Sequence, residues 1–346
     1  MTITAVGIDL AKNIFQIHGV DERGKLAVKK QLKRDQVGAF FINLPPCLVG
    51  IEACASAHHW ARKLRSMGHD VRLMAPQFVK PYVKSNKNDS ADAEAICEAV
   101  GRPNMRFVPI KNIEQQAVLA QHRARQGFVE ARTAQANQIR GLLGEYGLIV
   151  PPGIANIANR VPELIEDATN ELPGGFRRLI ERLLGHFKAL DQQVREIESE
   201  IVAWHRRDEK SRKLAKVPGI GPITASAMIA SIGDAKTFDS GRQVGAWLGL
   251  VPKQNSSGGK TVLLGMSKRG DSYLRTLLIQ GARSAIYAAQ RKQDAVDDWL
   301  NRLLMRRNAN VAAIALANKN ARIVWALLAH DREFRSDYTP AVPMAA

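Results

Sequence analysis

Two apolar runs near the start of the chain each end on a carboxylate. Val6-Gly7-Ile8 leads into Asp9, and Leu48-Val49-Gly50-Ile51 leads into Glu52. Short apolar runs with polar bounds read as buried strands. The pattern around them constrains the fold further. Residues 3–9 form the first strand, and residues 14–20 alternate apolar and polar, as a half-buried strand does. Asp21-Glu22-Arg23-Gly24 is a hairpin turn that brings the chain back as a third strand over 25–33. Residues 34–43 suit a helix, 47–52 a fourth strand, 58–67 a helix and 71–74 a fifth strand, which Ala75-Pro76 breaks.

Three strands in hairpin succession, followed by alternating helix and strand, predict an α/β domain of the RNase H/RuvC-like kind, a mixed sheet with helices on its faces. In such sheets functional residues gather at strand ends, which is where Asp9 and Glu52 stand. Asp89 and Asp92 lie three apart in Asn88-Asp89-Ser90-Ala91-Asp92, a spacing that places them on one face of a helix start. Asn88, Asp89 or Ser90 can cap that helix. Taken alone, Asp-x-x-Asp is also an ordinary capping pattern. Four carboxylates drawn to one point repel unless cations lie between them. Oxygen-only ligation suits Mg²⁺ or Mn²⁺. His58-His59 is no metal pair, because adjacent residues do not share a helix face.

The formal charge is +17 over 346 residues, which points to nucleic acid as a partner. The excess is uneven. Residues 1–205 hold 27 Lys and Arg against 22 Asp and Glu, whereas residues 206–346 hold 23 against 11. The C-terminal part is therefore the expected main grip. Cys47, Cys54 and Cys97 form no CxxC pair, which argues against a disulfide framework or a zinc site. No apolar run is expected to span a membrane, and no signal peptide is read at the N-terminus. These features lead to the expectation of a cytoplasmic protein.

Residues 113–147 read as a long helix weakened near Gly127 and Gly141, and 148–175 as a connection full of turns. From Phe176 the residues Ile180, Leu183, Phe187, Leu190, Val194, Ile197, Ile201 and Trp204 step by four and three. This spacing supports a coiled coil or a long helical hairpin, with a protein–protein seam favoured over a helix packed on its own domain. Beyond Asp208 the chain reads as a basic helical domain. Val217-Pro218-Gly219-Ile220-Gly221-Pro222 suits a helix-hairpin-helix turn whose backbone can hold a phosphate, or an ordinary Pro-Gly turn. Residues 252–270 carry Ser256-Ser257-Gly258-Gly259-Lys260 and Ser267-Lys268-Arg269-Gly270, a basic loop to which glycines lend mobility. A serine there is either a turn residue or a nucleophile that needs a base or a metal.

In Gly7-Ile8-Asp9-Leu10-Ala11-Lys12, Ile51-Glu52-Ala53, Asn88-Asp89-Ser90-Ala91-Asp92-Ala93, Val217-Pro218-Gly219-Ile220-Gly221, Gly249-Leu250-Val251-Pro252 and the two serine motifs, the chain resembles transposases of the IS110 type. The closing motifs resemble the IS1111 subgroup. The resemblance implies a RuvC-like domain over 1–125 with an Asp-Glu-Asp-Asp set at Asp9, Glu52, Asp89 and Asp92, binding Mg²⁺ or Mn²⁺. It implies a helical coiled-coil region over 126–205 and a mostly helical transposase domain over 206–346. The matching nucleophile is Ser257, with Ser256 beside it. The implied reaction is DNA strand cleavage and exchange through a serine–DNA link. The implied partners are donor and target DNA, a structured guide RNA and further copies of the chain, as a dimer or a tetramer, in the bacterial cytoplasm at the nucleoid. Lys12, Lys216, Gly219, Gly221, Lys260, Lys268 and Arg269 are the candidate nucleic-acid contacts. A metal-dependent nuclease without a covalent serine intermediate and a non-catalytic nucleic-acid scaffold are the competing readings.

Overall fold

The computed structural model describes residues 2–84, 89–292 and 298–335, and divides the chain into two compact units, Met1–Glu114 and Gln115–Ala346. The break falls near the start of the long helix Ile113–Gly144.

The first unit is built on a six-stranded sheet. Its elements are β1 (Ala5–Asp9), β2 (Ile14–Val20), β3 (Leu26–Lys33), α1 (Gln36–Ile42), β4 (Leu48–Glu52), α2 (Ala57–Arg65), β5 (Asp70–Met74), α3 (Pro76–Val79), α4 (Asp89–Val100) and β6 (Phe107–Val108). The strand order is β3-β2-β1-β4-β5-β6. Strands β1, β4 and β5 run parallel, while β2, β3 and β6 are antiparallel to their neighbours. This is the mixed sheet of the RNase H/RuvC-like class. Alternation in β2 buries Phe15 and Ile17 against Val6, Ile8 and Ile51, with Trp60 of α2 edge-on to Phe15. The Asp21 carboxylate accepts from the Arg23 and Lys25 N–H groups, both at 2.9 Å, and Gly24 supplies the positive φ that closes the turn. Strand β6 is only two residues long, too short to carry a period.

Among the described residues, the second unit is helical apart from one β-ribbon. It begins with α5 (Ile113–Gly144), α6 (Ile154–Glu166) and α7 (Gly174–Arg207). Gly127 and Gly141 do not interrupt α5. The stretch 148–175 is not merely turns, because α6 lies inside it and carries Pro162. Its apolar residues Ile157 and Val161 meet Ala136, Ile139 and Leu143 of α5 and Ile180, Leu184 and Phe187 of α7 in one small core. The stripe on α7 is therefore covered by this chain's own helices. Leu184 is buried in it, and Leu183 sits at its margin. Gln121 pairs with Glu200, Arg125 with Glu198 and Arg132 with Asp191 at 2.9, 2.5 and 2.5 Å, an antiparallel order that makes α5 and α7 a helical hairpin. The apolar seam needs no second copy to bury it.

The chain continues through α8 (Glu209–Leu214), α9 (Pro222–Ile232), α10 (Gly241–Trp247), β7 (Pro252–Gln254), β8 (Leu263–Met266), α11 (Ser272–Lys292), α12 (Asp298–Arg306) and α13 (Ala309–Ala329). The helices share a second core that includes Met228, Ile232, Val244, Leu278, Ala313 and Val324. Contrary to expectation, α13 is long and apolar enough to cross a membrane by length and composition. Here it buries Ala312, Ala313, Leu316, Ala317 and Ala321 against α10 and α11. His122 of α5 is enclosed between the Tyr273 hydroxyl, 2.9 Å from Nδ1, and the Ser226 hydroxyl, 3.1 Å from Nε2. It ties the helical hairpin to the helices that follow.

Candidate active site

Three of the four expected carboxylates converge. One oxygen each from Asp9, Asp89 and Asp92 lies within 4.8 Å of the others, with Asp9 and Asp92 half-buried and Asp89 exposed. Asp9 ends β1, while Asp89 and Asp92 stand in the first turn of α4. A capping role for Asn88 lies outside the described residues. Glu52 is outside the group of three but belongs to the same sheet edge. β4 pairs parallel with β1 through Ile8 and Ile51, and Asp9 and Glu52 each follow by one residue. The Cys54 thiol is raised above its ordinary value by desolvation first, then by the Glu52 and Asp9 carboxylates. The link from β4 to α2 passes through Ser56, a left-handed residue at φ 67° beside this edge.

Two glycines bring the acids together. Gly7 and Gly50 face each other across β1 and β4. A Cβ on Gly7 would lie 2.8 Å from Cys97 Cα, and closer still to the Ala93 carbonyl and the Cys97 N–H. One on Gly50 would lie 2.8 Å from Val100 Cβ and 3.1 Å from the Ile96 carbonyl. Together they form a trough in which α4 rests backbone to sheet, with its acidic first turn beside Asp9. Sequence reading missed this role, although the signal was present: Val-Gly-Ile followed by an acid occurs in both runs. A hard, oxygen-only donor set at this spacing fits Mg²⁺ or Mn²⁺ and suits neither zinc nor copper.

The serines occupy an ordered β-ribbon rather than a mobile loop. Lys260 N–H donates to the Ser257 carbonyl at 3.0 Å, and Gly258 and Gly259 have φ of +55° and +75°. Two positive φ values in a two-residue loop are those of a type I′ hairpin, so the glycines serve the turn. The two serines differ. The Ser256 hydroxyl accepts from Val262 N–H at 3.2 Å and from the Gln254 amide at 3.1 Å, which ties it into the ribbon. Ser257 is exposed at the corner of the turn. The ribbon root is clamped by backbone: a Cβ on Gly249 would lie 2.7 Å from Arg269 N, and one on Gly270 would lie 3.0 Å from the Trp247 carbonyl carbon.

The other candidates separate as well. Lys12, Lys260, Lys268 and Arg269 are exposed, and Lys268 takes a left-handed φ of 55°. Lys216 is ion-paired with Glu333 at 2.6 Å. Gly219 is required for packing, since a Cβ there would sit 2.8 Å from the Gly281 carbonyl of α11. Gly221 meets nothing and caps α9 ahead of Pro222, so its face of the turn stays open. His58 accepts from Lys111 N–H at 3.2 Å, a structural role.

Comparison with known proteins identifies the family. Residues 6–148 match a DEDD transposase model of the IS110 type, and residues 211–297 match the transposase IS116/IS110/IS902 family. A probable family 20 transposase of Pseudomonas aeruginosa is 53% identical over 97% of this chain and 99% of its own length. The transposase for insertion sequence element IS1328 of Yersinia enterocolitica is 45% identical over 93% of this chain and 96% of its own. That for IS1111A of Coxiella burnetii is 43% identical over 96% and 92%. With an acidic RNase H/RuvC-like sheet ahead of a helical unit that carries the serine ribbon, the chain belongs to the IS110 family of insertion-sequence transposases.

Proposed function

We propose that Asp9, Asp89 and Asp92, with Glu52 beside them, hold divalent cations, Mg²⁺ or Mn²⁺, and that Ser257 is the nucleophile of strand exchange. The observation that carries this reading is the convergence of three carboxylates within 4.8 Å at the end of β1. A cation held there would neutralise charge developing on the scissile phosphate. The Ser257 Oγ attacks phosphorus, a serine–phosphate bond forms, and the bond from phosphorus to the leaving deoxyribose oxygen breaks. The serine proton passes to a base at the site, and the leaving oxygen gains a proton. A hydroxyl of the second DNA strand then reverses the step and frees the serine. Ser257 is supported over Ser256 because its hydroxyl stands exposed at the turn, whereas that of Ser256 holds the ribbon. Lys260, Lys268 and Arg269 would hold flanking phosphates, with Lys12 and the open Gly221 face as further contacts. Lys216 would have to give up Glu333 to join them.

The family resemblance further supports a guide RNA that selects donor and target DNA, and an oligomer, dimer or tetramer, working on the nucleoid in the cytoplasm. Because the α7 stripe is covered within the chain, that oligomer would form through other surfaces.

Trapping of protein–DNA adducts tests the nucleophile. Ser257→Ala should bind DNA with wild-type salt dependence and yield no adduct, and Ser256→Ala should retain adducts. Cleavage that survives in Ser257→Ala and needs a divalent metal would assign the reaction to water and make the protein a metal-dependent nuclease.

A further inference from the structure

We propose that the β7–β8 ribbon inserts into duplex DNA at the cleavage site. Val262, Leu263 and Leu264 wedge against unstacked base pairs while the tip presents Ser257 to the backbone. The proposal rests on the Ser257 reading and adds how that residue reaches its phosphate.

The ribbon is anomalous as a piece of protein. All of β7 and the first three residues of β8 are exposed. Val262, Leu263 and Leu264 are 45%, 62% and 50% exposed. Side chains alternate across a strand, so Leu263 points from one face and Val262 and Leu264 from the other. Each face therefore carries a bare apolar side chain of the 262–264 stretch beside the polar strand β7, with Gln254 opposite Leu263, while Met266, at the root, packs on the core. A lone two-stranded ribbon is marginal in water unless something covers it. This one is fastened at its root, where Gly249 and Gly270 clamp Arg269 and Trp247 and where Ser267 N–H donates to the Val251 carbonyl at 2.8 Å.

Charge selects the occupant. Residues 251–270 contain Lys253, Lys260, Lys268 and Arg269 and no Asp or Glu. Such a ribbon repels its own copy, and it complements a phosphate backbone. Two-stranded ribbons fit DNA grooves, and apolar side chains inserted between base steps unstack and kink the duplex. A kinked step exposes a backbone phosphate to a hydroxyl a few residues away at the ribbon tip.

The test uses the full chain with the RNA that copurifies with it and a set of duplexes spanning the end of the insertion element, each with one 2-aminopurine whose fluorescence rises on unstacking. The wild type should raise the signal severalfold at steps flanking the cleavage point. Leu263→Ser with Leu264→Ser should abolish the rise and lower adduct yield at least tenfold. Leu263→Met with Leu264→Met, which keeps the apolar surface, should preserve both. Ser257→Ala should keep the rise and form no adduct. A wild type with no rise, or a double-serine variant with an undiminished one, overturns the proposal. So does a double-serine variant that turns a wild-type oligomer into monomer without DNA, for then the ribbon is a protein seam. A fluorescence rise without adducts in the wild type would instead sink the Ser257 reading and leave the wedge standing.

Discussion

Replacing Gly7 with Ala tests the trough that assembles the acidic site. The added methyl would fall 2.8 Å from Cys97 Cα and nearer to the Ala93 carbonyl and the Cys97 N–H, where ordinary contact begins at 3.4 Å. All three neighbours are backbone, so no rotamer change relieves the overlap, and α4 must lift by about 1 Å. Overpacking of this kind costs roughly 1–3 kcal/mol, and a clash with three backbone atoms of α4 belongs at the upper end. The lift carries Asp89 and Asp92 away from Asp9. A misplacement of about 1 Å in a catalytic constellation lowers activity roughly 100-fold. Gly50→Ala, whose methyl would meet Val100 Cβ at 2.8 Å, should be less severe. Gly38→Ala is the control: it lies in α1, and its methyl would touch only the flexible ends of Lys63 and Met67, at 3.4 Å or more. It should be neutral or stabilise by up to about 1 kcal/mol. Thermal melts by circular dichroism and cleavage of labelled duplex well below the melting point give both readouts. A Gly7→Ala protein with wild-type melting and cleavage would refute the trough.

Further outcomes follow from the second unit. Burial pulls His122 down from 6.5 to about 4, with the Arg125 charge adding to the shift. Between those values the unfolded chain binds a proton that the folded one excludes. Stability should therefore be flat above the upper value and fall as pH drops through the window, by up to about 3 kcal/mol. Urea midpoints at about pH 7 and about pH 5 should diverge less in His122→Gln than in wild type. Leu184→Ala removes a residue 5% exposed and should cost about 2–5 kcal/mol, whereas Leu183→Ala at the margin should cost less than about 1 kcal/mol. Gly281→Ala drives a methyl into the Gly219 carbonyl and should destabilise by about 2 kcal/mol or more; Gly221→Ala, with open space around it but a poorer N-cap for α9, should cost less, about 0.5–1 kcal/mol by the same melts.

What the sequence reveals of this molecule follows from which signals are local. The β2 alternation over Ile14–Val20 and the Asp21–Gly24 turn depend on neighbours in the chain and are legible directly. The α6 helix is hidden because Pro151, Pro152, Gly153 and Pro162 read as breakers, while Ile154, Ile157 and Val161 keep a helical spacing among them. On α7 the stepping of apolar residues declares a stripe but not what covers it, because the α5 and α6 residues packed on it, such as Ile139, Leu143 and Ile157, lie far away in sequence. At the site, Asp9, Glu52, Asp89 and Asp92 stand out by position. Gly7 and Gly50 do not, because a glycine in a strand reads as a weak point until a helix backbone is found lying against it.

The claim that the β1–α4 carboxylates hold a divalent cation is tested most directly by calorimetric titration of Mn²⁺ into the full chain. The wild type should bind saturably. Asp9→Asn and Asp92→Asn should each weaken binding at least tenfold, while Asp70→Asn, whose carboxylate pairs with Arg72 at 2.7 Å, should bind as wild type does. Unchanged Mn²⁺ affinity in folded Asp9→Asn and Asp92→Asn would contradict the account.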